Sequence, residues 1–264
     1  MSLHVETQGS GAPLLLIHGW GMHGGMWGEV AGRLAQDCRV STVDLPGHGR
    51  SGIEDRGSRV EDSALDDIVD ALSAQFDEPL TVCGWSLGGQ VALRWAQRHA
   101  PQVQRLVLVA STPCFVRREG WDCAMAADTL AAFAEALQQN YAQTLRRFLA
   151  LQLRGSERER ELLAELRAAL FSRGEPELGA LRSGLDILRD CDLRQALSGI
   201  GQPTLVIAGE RDTLTPPQAS QYMVDSMPQA QLATITGAAH APFLSHPDEF
   251  VACLQHFLHD RVFP

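Results

Sequence analysis

Six short apolar runs, each the length of a strand, constrain the fold of this chain more than any other feature of its sequence. The runs are nearly continuous in apolar residues, which is typical of strands buried on both faces of a largely parallel sheet. Helical patterns alternate with the runs, so we expect helices on both faces. The segment LHVETQG predicts an antiparallel strand at the edge of the sheet. The runs cover residues 13–19, 39–47, 80–86, 105–111, 203–210 and 230–236.

The alternation is interrupted between residues 112 and 190, where no strand-like run occurs. Four helical patterns take its place, at residues 124–138, 141–153, 157–172 and 176–189. Ligands of open α/β sheets bind at the carboxyl edge of the sheet, and an all-helical insertion is best explained as a lid over that edge. We therefore predict an α/β core formed by residues 1–111 and 191–264, with a helical lid formed by residues 112–190.

Charge and cysteine content exclude several classes of function. The chain has 22 basic and 32 acidic residues, a net charge of −10, which argues against nucleic acid or an anionic membrane as the main partner. It has no lysine, which excludes a lysine Schiff base and the lysine of a phosphate-binding loop. The six cysteines are far apart, and there is no signal-peptide pattern and no membrane-length apolar run. These features predict reduced thiols in a cytoplasmic protein.

The pentapeptide Gly84-Trp85-Ser86-Leu87-Gly88 marks the end of the third run and the start of a helical pattern. G-x-S-x-G at a strand-to-helix junction is the nucleophile elbow, in which a strained turn presents the serine hydroxyl over the sheet. The glycines two positions away on each side are needed because the backbone there approaches itself too closely for side chains. The alternative is a glycine-rich turn without chemistry.

A serine nucleophile needs a base, and the base needs an orienting acid. In this architecture the acid and then the histidine follow the serine along the chain. Asp212 follows the fifth run and His240 follows the sixth, so both reach the sheet edge that holds Ser86. Glu210 competes for the acid role, but Asp212 lies beyond the strand end, where a loop can turn toward the histidine. His246 competes for the base role, but SHPDEF fits the entry to the final helix better.

Attack on a carbonyl places negative charge on oxygen, which preorganised N–H donors must stabilise. One predicted donor is the backbone N–H of Leu87, at the start of the helix after the nucleophile, and the other is the N–H of Trp20 in the loop LLIHGWGMH. His18 is expected to support this loop. His18 and His23 could suggest a metal, but no third ligand is in view, so we expect neither a metal nor an organic cofactor.

Five segments resemble the α/β-hydrolase superfamily, and the resemblance spans the whole chain: LLIHGWG, DLPGHGRS, GWSLGG, GERD and GAAHAPF. Less generic features resemble the family of pimeloyl-acyl-carrier-protein methyl ester esterases of biotin synthesis. These are Trp20, Trp85, ASTPCF (110–115), RFLALQ (147–152), GLDILRDCDLR (184–194) and AAHAPFLSHP (238–247). The resemblance implies a serine esterase that releases methanol from the terminal ester of the carrier-bound acyl chain.

The resemblance also implies roles for individual residues. Ser86, His240 and Asp212 would form the triad, and Trp20 and Leu87 the oxyanion site. The lid segment FLALQ would line the acyl channel. This implies a substrate-binding set of Trp20, Ser86, Leu87, Phe148, Leu149, Ala150, Leu151, Gln152 and His240. The stripe of Leu145, Phe148, Leu149 and Gln152 has helical spacing, so simple packing on the core explains it equally well.

The segment between residues 141 and 173 carries seven arginines against four acidic residues, although the chain as a whole is acidic. Acyl carrier proteins are strongly acidic, and arginine pairs with carboxylates and steers encounter. The resemblance supports Arg147 and Arg160 as carrier contacts and leaves the others open. The alternative is that a lysine-free chain fills its solvated helix faces with arginine. The seven are Arg146, Arg147, Arg154, Arg158, Arg160, Arg167 and Arg173.

Three functions stay open at this point. The first is the carrier-protein methyl ester esterase, acting on acyl carrier protein as a monomer. The second is a broader serine hydrolase, such as a short-chain carboxylesterase, an aminopeptidase or a carbon–carbon bond hydrolase. The third is a catalytically silent binding protein of the same fold, against which the complete Ser-Asp-His set argues. Motifs cannot separate the first from the second, because pocket shape decides substrate choice.

Overall fold

The computed structural model describes residues 3–52, 64–156, 159–170 and 172–259. Within them, seven strands form one sheet: β1 (His4–Gln8), β2 (Ala12–Ile17), β3 (Cys38–Asp44), β4 (Leu80–Trp85), β5 (Val103–Val109), β6 (Thr204–Gly209) and β7 (Ala230–Ile235). Their order across the sheet is β1-β3-β2-β4-β5-β6-β7. Strand β1 pairs antiparallel with β3, and every other pair is parallel.

The burial of the strands explains why their sequences are almost continuously apolar. All residues of the central strands β4 and β6 are buried, so both faces of the sheet are covered there. The edge strand β1 contains polar residues and ends in exposed ones. The six predicted parallel strands and the antiparallel edge strand are thereby confirmed.

The helices of the described residues alternate with the strands, except that four helices occur together between β5 and β6 and two follow the last strand. The first three are α1 (Gly28–Leu34), α2 (Ala64–Gln75) and α3 (Leu87–Arg98). The four grouped helices are α4 (Ala127–Gln139), α5 (Tyr141–Leu153), α6 (Glu159–Leu170) and α7 (Leu178–Asp190). The last are α8 (Pro217–Ser226), α9 (Pro242–Ser245) and α10 (Pro247–His259).

The grouped helices α4 to α7 lie where the sequence predicts four helices without a strand. Helix α5 packs between α4 and α6, α7 contacts α2 of the core, and α6 contacts a short 3₁₀ helix at Gly24–Trp27. The apolar stripe of α5 is buried, as its spacing requires. That this insertion acts as a lid stays a prediction at this stage.

None of the helices that the structure describes is long and apolar enough to cross a membrane.

Candidate active site

Ser86 occupies the sharp turn between β4 and α3. Its backbone has φ 54° and ψ −117°, a conformation that a residue with a side chain rarely adopts. Two neighbours hold the strained turn in place: the Ser86 N–H donates to the Val109 carbonyl at 2.9 Å, and the Ser111 hydroxyl donates to the Ser86 carbonyl at 2.8 Å. The turn leaves the Ser86 side chain at the carboxyl end of β4, above the sheet.

Close backbone approach explains the two glycines of the elbow. A Cβ atom on Gly84 would overlap the carbonyl oxygen of Gly88. A Cβ atom on Gly88 would lie 2.6 Å from the carbonyl oxygens of Ile17 and His18. Any side chain at either position would therefore push α3 away from the sheet and displace the serine between them.

The structure brings Ser86, His240 and Asp212 into one hydrogen-bonded line. The Ser86 Oγ lies 2.9 Å from His240 Nε2, and His240 Nδ1 lies 2.8 Å from Asp212 Oδ2. All three residues are buried. When Nδ1 carries the ring proton and donates a hydrogen bond to the carboxylate, Nε2 is free to accept the serine proton. This arrangement can activate a hydroxyl for attack on a carbonyl carbon.

Asp212 is fixed by donors that sequence reasoning did not identify. The backbone N–H groups of Leu214 and Thr215 donate to its Oδ1 at 2.8 and 3.0 Å, and the Thr215 hydroxyl donates to Oδ2 at 2.7 Å. With the histidine included, both carboxylate oxygens accept hydrogen bonds, so the orientation of the carboxylate is fixed. Thr215 lies three residues after Asp212, in a short turn, and this spacing is the only feature of the sequence that could have indicated its role as a donor.

The backbone of His240 is also held at both of its polar groups. Its N–H donates to the Gln152 carbonyl at 3.0 Å, and its carbonyl accepts from the Trp85 indole N–H at 2.8 Å. The first bond comes from α5 and the second from the elbow. The histidine loop is thus tied both to α5 and to the elbow that carries the serine.

The two rival residues lie elsewhere. Glu210 is exposed, and its carboxylate accepts from the Gly237 N–H at 2.9 Å. His246 bonds through Nδ1 to the Ser245 hydroxyl at 2.8 Å, directly before α10. The structure therefore does not bring either of them to Ser86.

Two backbone N–H groups are available beside the serine. Leu87 is the first residue of α3, so its N–H has no acceptor within the helix. The Trp20 N–H has no backbone acceptor among the described residues. The loop that carries Trp20 passes close to the nucleophile, since a Cβ atom on Gly19 would lie 3.3 Å from the Ser86 Cβ. Both N–H groups can serve a developing oxyanion.

Three buried histidines support this loop and the one after β3; we call His18, His23 and His48 the histidine cluster. His18 donates from Nδ1 to the Gly19 carbonyl at 2.8 Å and accepts the Leu45 N–H at Nε2 at 2.9 Å, so it is neutral. Burial lowers the pKa of His18 to about 3, and burial also lowers the pKa values of His23 and His48. Among the described residues no group of three His, Cys, Asp or Glu side chains could hold a metal.

Asp44, the last residue of β3, links the core to the helical insertion. Its carboxylate accepts the N–H groups of Gly24 at 2.6 Å and Arg50 at 2.9 Å, and it pairs with Arg173 at 3.2 Å. Burial alone would raise the pKa of Asp44, but the backbone hydrogen bonds and Arg173 lower it below its usual 3.8. Arg173 also pairs with Glu6. This arginine is therefore engaged within the molecule.

The side chain of Trp20 points into the insertion. Its indole N–H donates to the Leu181 carbonyl at 2.8 Å, and its ring packs edge-on against Phe148 with 4.9 Å between centroids. Next to it lies a cavity of about 60 Å³ without any charged lining residue. The lining residues are Phe115, Met125, Thr129, Leu130, Phe133, Phe148, Leu151, Leu185, Leu188 and Leu214.

The FLALQ segment divides between three positions. Phe148 and Leu151 line the cavity, whereas Leu149 is fully buried in the core and the partly exposed Ala150 does not line the cavity. Gln152 is buried and provides the carbonyl that meets His240. The structure thus places part of the predicted substrate-binding segment beside the cavity and uses the rest for packing.

The remaining arginines of the insertion lie on its surface, apart from Arg158, which is outside the described residues. Arg147 on α5 and Arg160 on α6 are exposed, and no acidic side chain of the described chain pairs with them. The same is true of Arg146, Arg154 and Arg167.

Comparisons with known proteins find similarity along nearly the whole chain. The model of the alpha/beta hydrolase family matches residues 14–253. A pimeloyl-(acyl-carrier protein) methyl ester esterase from Nitrosomonas europaea is 45% identical over 252 residues, or 96% of this chain and 98% of the relative. A relative of the same name from Chromobacterium violaceum is 43% identical over 262 residues, or 99% and 100%.

The solved structures give the same fold. An esterase from Exiguobacterium antarcticum has a TM-score of 0.87 at 24% identity and covers 97% of this chain and 95% of its own. A hydrolase from Pseudomonas aeruginosa PA01 has a TM-score of 0.81 at 25% identity, with coverage of 97% and 94%. The predicted α/β-hydrolase fold is thereby confirmed.

Proposed function

The chain belongs to the alpha/beta hydrolase family, and on that premise we propose that it is a serine esterase that hydrolyses the methyl ester of pimeloyl-acyl carrier protein. The observation that carries the proposal is the hydrogen-bonded line from Ser86 through His240 to Asp212. In addition, the chain is 45% identical, over nearly its whole length, to a relative named as a pimeloyl-(acyl-carrier protein) methyl ester esterase.

The reaction begins when Ser86 Oγ attacks the ester carbonyl and His240 Nε2 takes its proton. The carbonyl oxygen becomes an oxyanion, which accepts hydrogen bonds from the N–H groups of Trp20 and Leu87. Asp212 stabilises the imidazolium that forms. When the tetrahedral intermediate collapses, the methoxy group leaves with the proton from His240 as methanol, and the acyl group stays on Ser86 as an ester.

Water then hydrolyses the acyl-enzyme. His240 removes a proton from the water, the hydroxide attacks the acyl carbon, and a second oxyanion is held by the same two N–H groups. Collapse returns the proton from His240 to Ser86 Oγ and releases the free carboxylic acid. The products are methanol and a carrier-bound chain with a free terminal carboxyl group, and no organic cofactor or metal takes part.

The helical insertion acts as the lid, and the cavity beneath it suits a methylene chain. Phe148 and Leu151 come from α5, while Leu214 lies two residues after Asp212, so the cavity runs alongside the acid-bearing loop. Its uncharged lining favours the apolar chain and the neutral ester, because an ionised carboxylate loses its hydration there without gaining a partner. Trp20 packs against Phe148, one of the residues that line the cavity, and so lies beside the chain that would bind there.

We further propose that the acidic carrier docks on two exposed arginines of the insertion, Arg147 and Arg160. Arg147 and Arg160 have no acidic partner within the described chain, so their guanidinium groups are available to an acidic surface. Such exposed charges mainly steer association and depend on ionic strength. A small free ester does not need them.

We place the enzyme in the cytoplasm as a monomer. All six cysteines are free thiols, as expected in a reducing compartment. Within the described residues only Leu178 and Tyr222 are large apolar side chains that are exposed. Two isolated side chains do not make the contiguous apolar patch of a subunit interface.

Complementation of a biotin auxotroph that lacks its own methyl ester esterase tests the proposal. The gene should restore growth without biotin, and the Ser86→Ala variant, expressed at the same level, should not. If the wild-type gene also fails to restore growth, although its protein still hydrolyses small esters, the result would favour a short-chain carboxylesterase. Absence of labelling by a serine-directed fluorophosphonate would favour a catalytically silent protein.

A further inference from the structure

The carboxyl end of α5 makes direct contact with the loop that carries the catalytic histidine. The last four carbonyl groups of a helix have no partner within it. In α5 one of them, the Gln152 carbonyl, accepts the backbone N–H of His240 at 3.0 Å. Both Gln152 and His240 are buried, so water does not compete for this bond.

A second contact joins the same helix end to the loop that carries the acid. The guanidinium of Arg211 donates to the Gly155 carbonyl at 3.0 Å, two residues after α5 ends. The N–H of Arg211 in turn donates to the Ala238 carbonyl at 2.8 Å, which joins the acid loop to the histidine loop. A cation is well placed here, because the carboxyl end of a helix carries partial negative charge.

These contacts close a ring through the catalytic residues. The ring runs from Arg211 to the carboxyl end of α5, from there to His240, and from His240 through Asp212 back to Arg211. We propose that Arg211 is a positioning residue: it holds the end of α5 against the core, and the Gln152 carbonyl then fixes the height of His240 over Ser86.

This role rests on the catalytic function proposed for His240. The helix α5 belongs to the insertion, whereas the histidine and acid loops belong to the core. The packing of the insertion on the core and the alignment of His240 as the base are therefore coupled. Displacement of α5 would release the His240 backbone N–H and lengthen the bond from Nε2 to Ser86 Oγ. Loss of Arg211 should lower the rate of the chemical step, while the cavity, which Arg211 does not line, stays unchanged.

The test measures kcat and KM for a small chromogenic ester, together with the rate at which a fluorophosphonate labels Ser86. Because misplacement by about 1 Å can cost on the order of a hundredfold in rate, partial release should cost about tenfold. We expect Arg211→Ala to lower both kcat and the labelling rate about tenfold and to leave KM within about twofold. Arg211→Lys keeps a cationic donor and should regain most of the loss.

Arg154→Ala is the matched control, because Arg154 is an exposed neighbour of Gly155 without an acidic partner in the described chain. It should match the wild type. Equal losses in both alanine variants, no rescue by lysine, or a folded Arg211→Ala with wild-type kcat would each overturn the role of Arg211. If Arg211→Ala does not fold, Arg211→Gln, which is shorter and uncharged, should show the same loss of kcat. A wild-type protein that does not label at Ser86 would instead contradict the proposed function.

Discussion

Replacing Asp212 by asparagine separates the charge of the acid from its shape. The backbone N–H groups of Leu214 and Thr215 already donate to Oδ1, so the amide oxygen of the introduced asparagine takes that place. The amide nitrogen then faces the Thr215 hydroxyl and His240 Nδ1, where the carboxylate Oδ2 stood. The hydroxyl can rotate to accept a hydrogen bond, so the fold should survive the change.

The histidine cannot adapt without losing its function. An amide N–H that points at His240 Nδ1 requires Nδ1 to be an acceptor, which moves the ring proton to Nε2. A protonated Nε2 cannot take the proton of Ser86 Oγ, 2.9 Å away. The wrong tautomer costs roughly 10⁴-fold in kcat in triads of this kind, or about 5 kcal/mol of transition-state stabilisation.

The assay is steady-state turnover of a small chromogenic ester by Asp212→Asn, with Glu210→Gln as the matched control. Glu210 is exposed and, among the described residues, accepts the Gly237 N–H, which an amide oxygen can also accept. We expect Glu210→Gln to keep kcat within about threefold. A larger loss in Glu210→Gln than in Asp212→Asn, or an Asp212→Asn enzyme with more than about a tenth of wild-type kcat, would refute the assignment of the acid.

Three further predictions concern docking and stability. Arg147→Glu combined with Arg160→Glu should raise KM for the carrier-bound ester about tenfold and leave a small ester unaffected. Added salt should weaken the carrier reaction of the wild type more than that of the double variant, and equal effects of the substitutions on both substrates would contradict docking. The histidine cluster has lowered pKa values, so the folded state binds fewer protons than the unfolded state. The free energy of unfolding by urea should thus be highest above about pH 6.5 and fall below it, with a slope of at most about 4 kcal/mol per pH unit; a flat profile from pH 8 to 5 would contradict this. Arg173→Ala leaves Asp44 without its charged partner and should lower that free energy by about 3 kcal/mol, whereas the exposed Arg167→Ala should change it by less than about 0.5 kcal/mol.

The strands and the elbow could be predicted because local sequence determines them. Complete burial requires continuous apolar runs, and the turn at Ser86 requires glycine on both sides, so each leaves a pattern within a few residues. The chain order of acid and base then limited the candidates, and the sheet topology brings Asp212 and His240 to the same edge as Ser86.

The other contacts join distant parts of the chain and leave no such pattern. Arg173 belongs by its position to the basic insertion, and only the folded chain places it on Asp44 and Glu6. The bond between Gln152 and His240 uses a backbone carbonyl, which every residue possesses, so no residue type could indicate it. The basic charge of the insertion therefore overstates the number of arginines that are available to a partner.

Mass spectrometry of a carrier protein loaded with the pimeloyl methyl ester measures the central claim directly. The purified enzyme should convert the ester to the acid, a mass loss of one methylene group, and leave the thioester to the carrier intact. In water enriched in heavy oxygen, the new carboxyl group should carry one heavy atom, because hydrolysis passes through the acyl-enzyme on Ser86. The Ser86→Ala variant should leave the substrate unchanged. An uncleaved methyl ester, from an enzyme that turns over small free esters normally, would contradict the account.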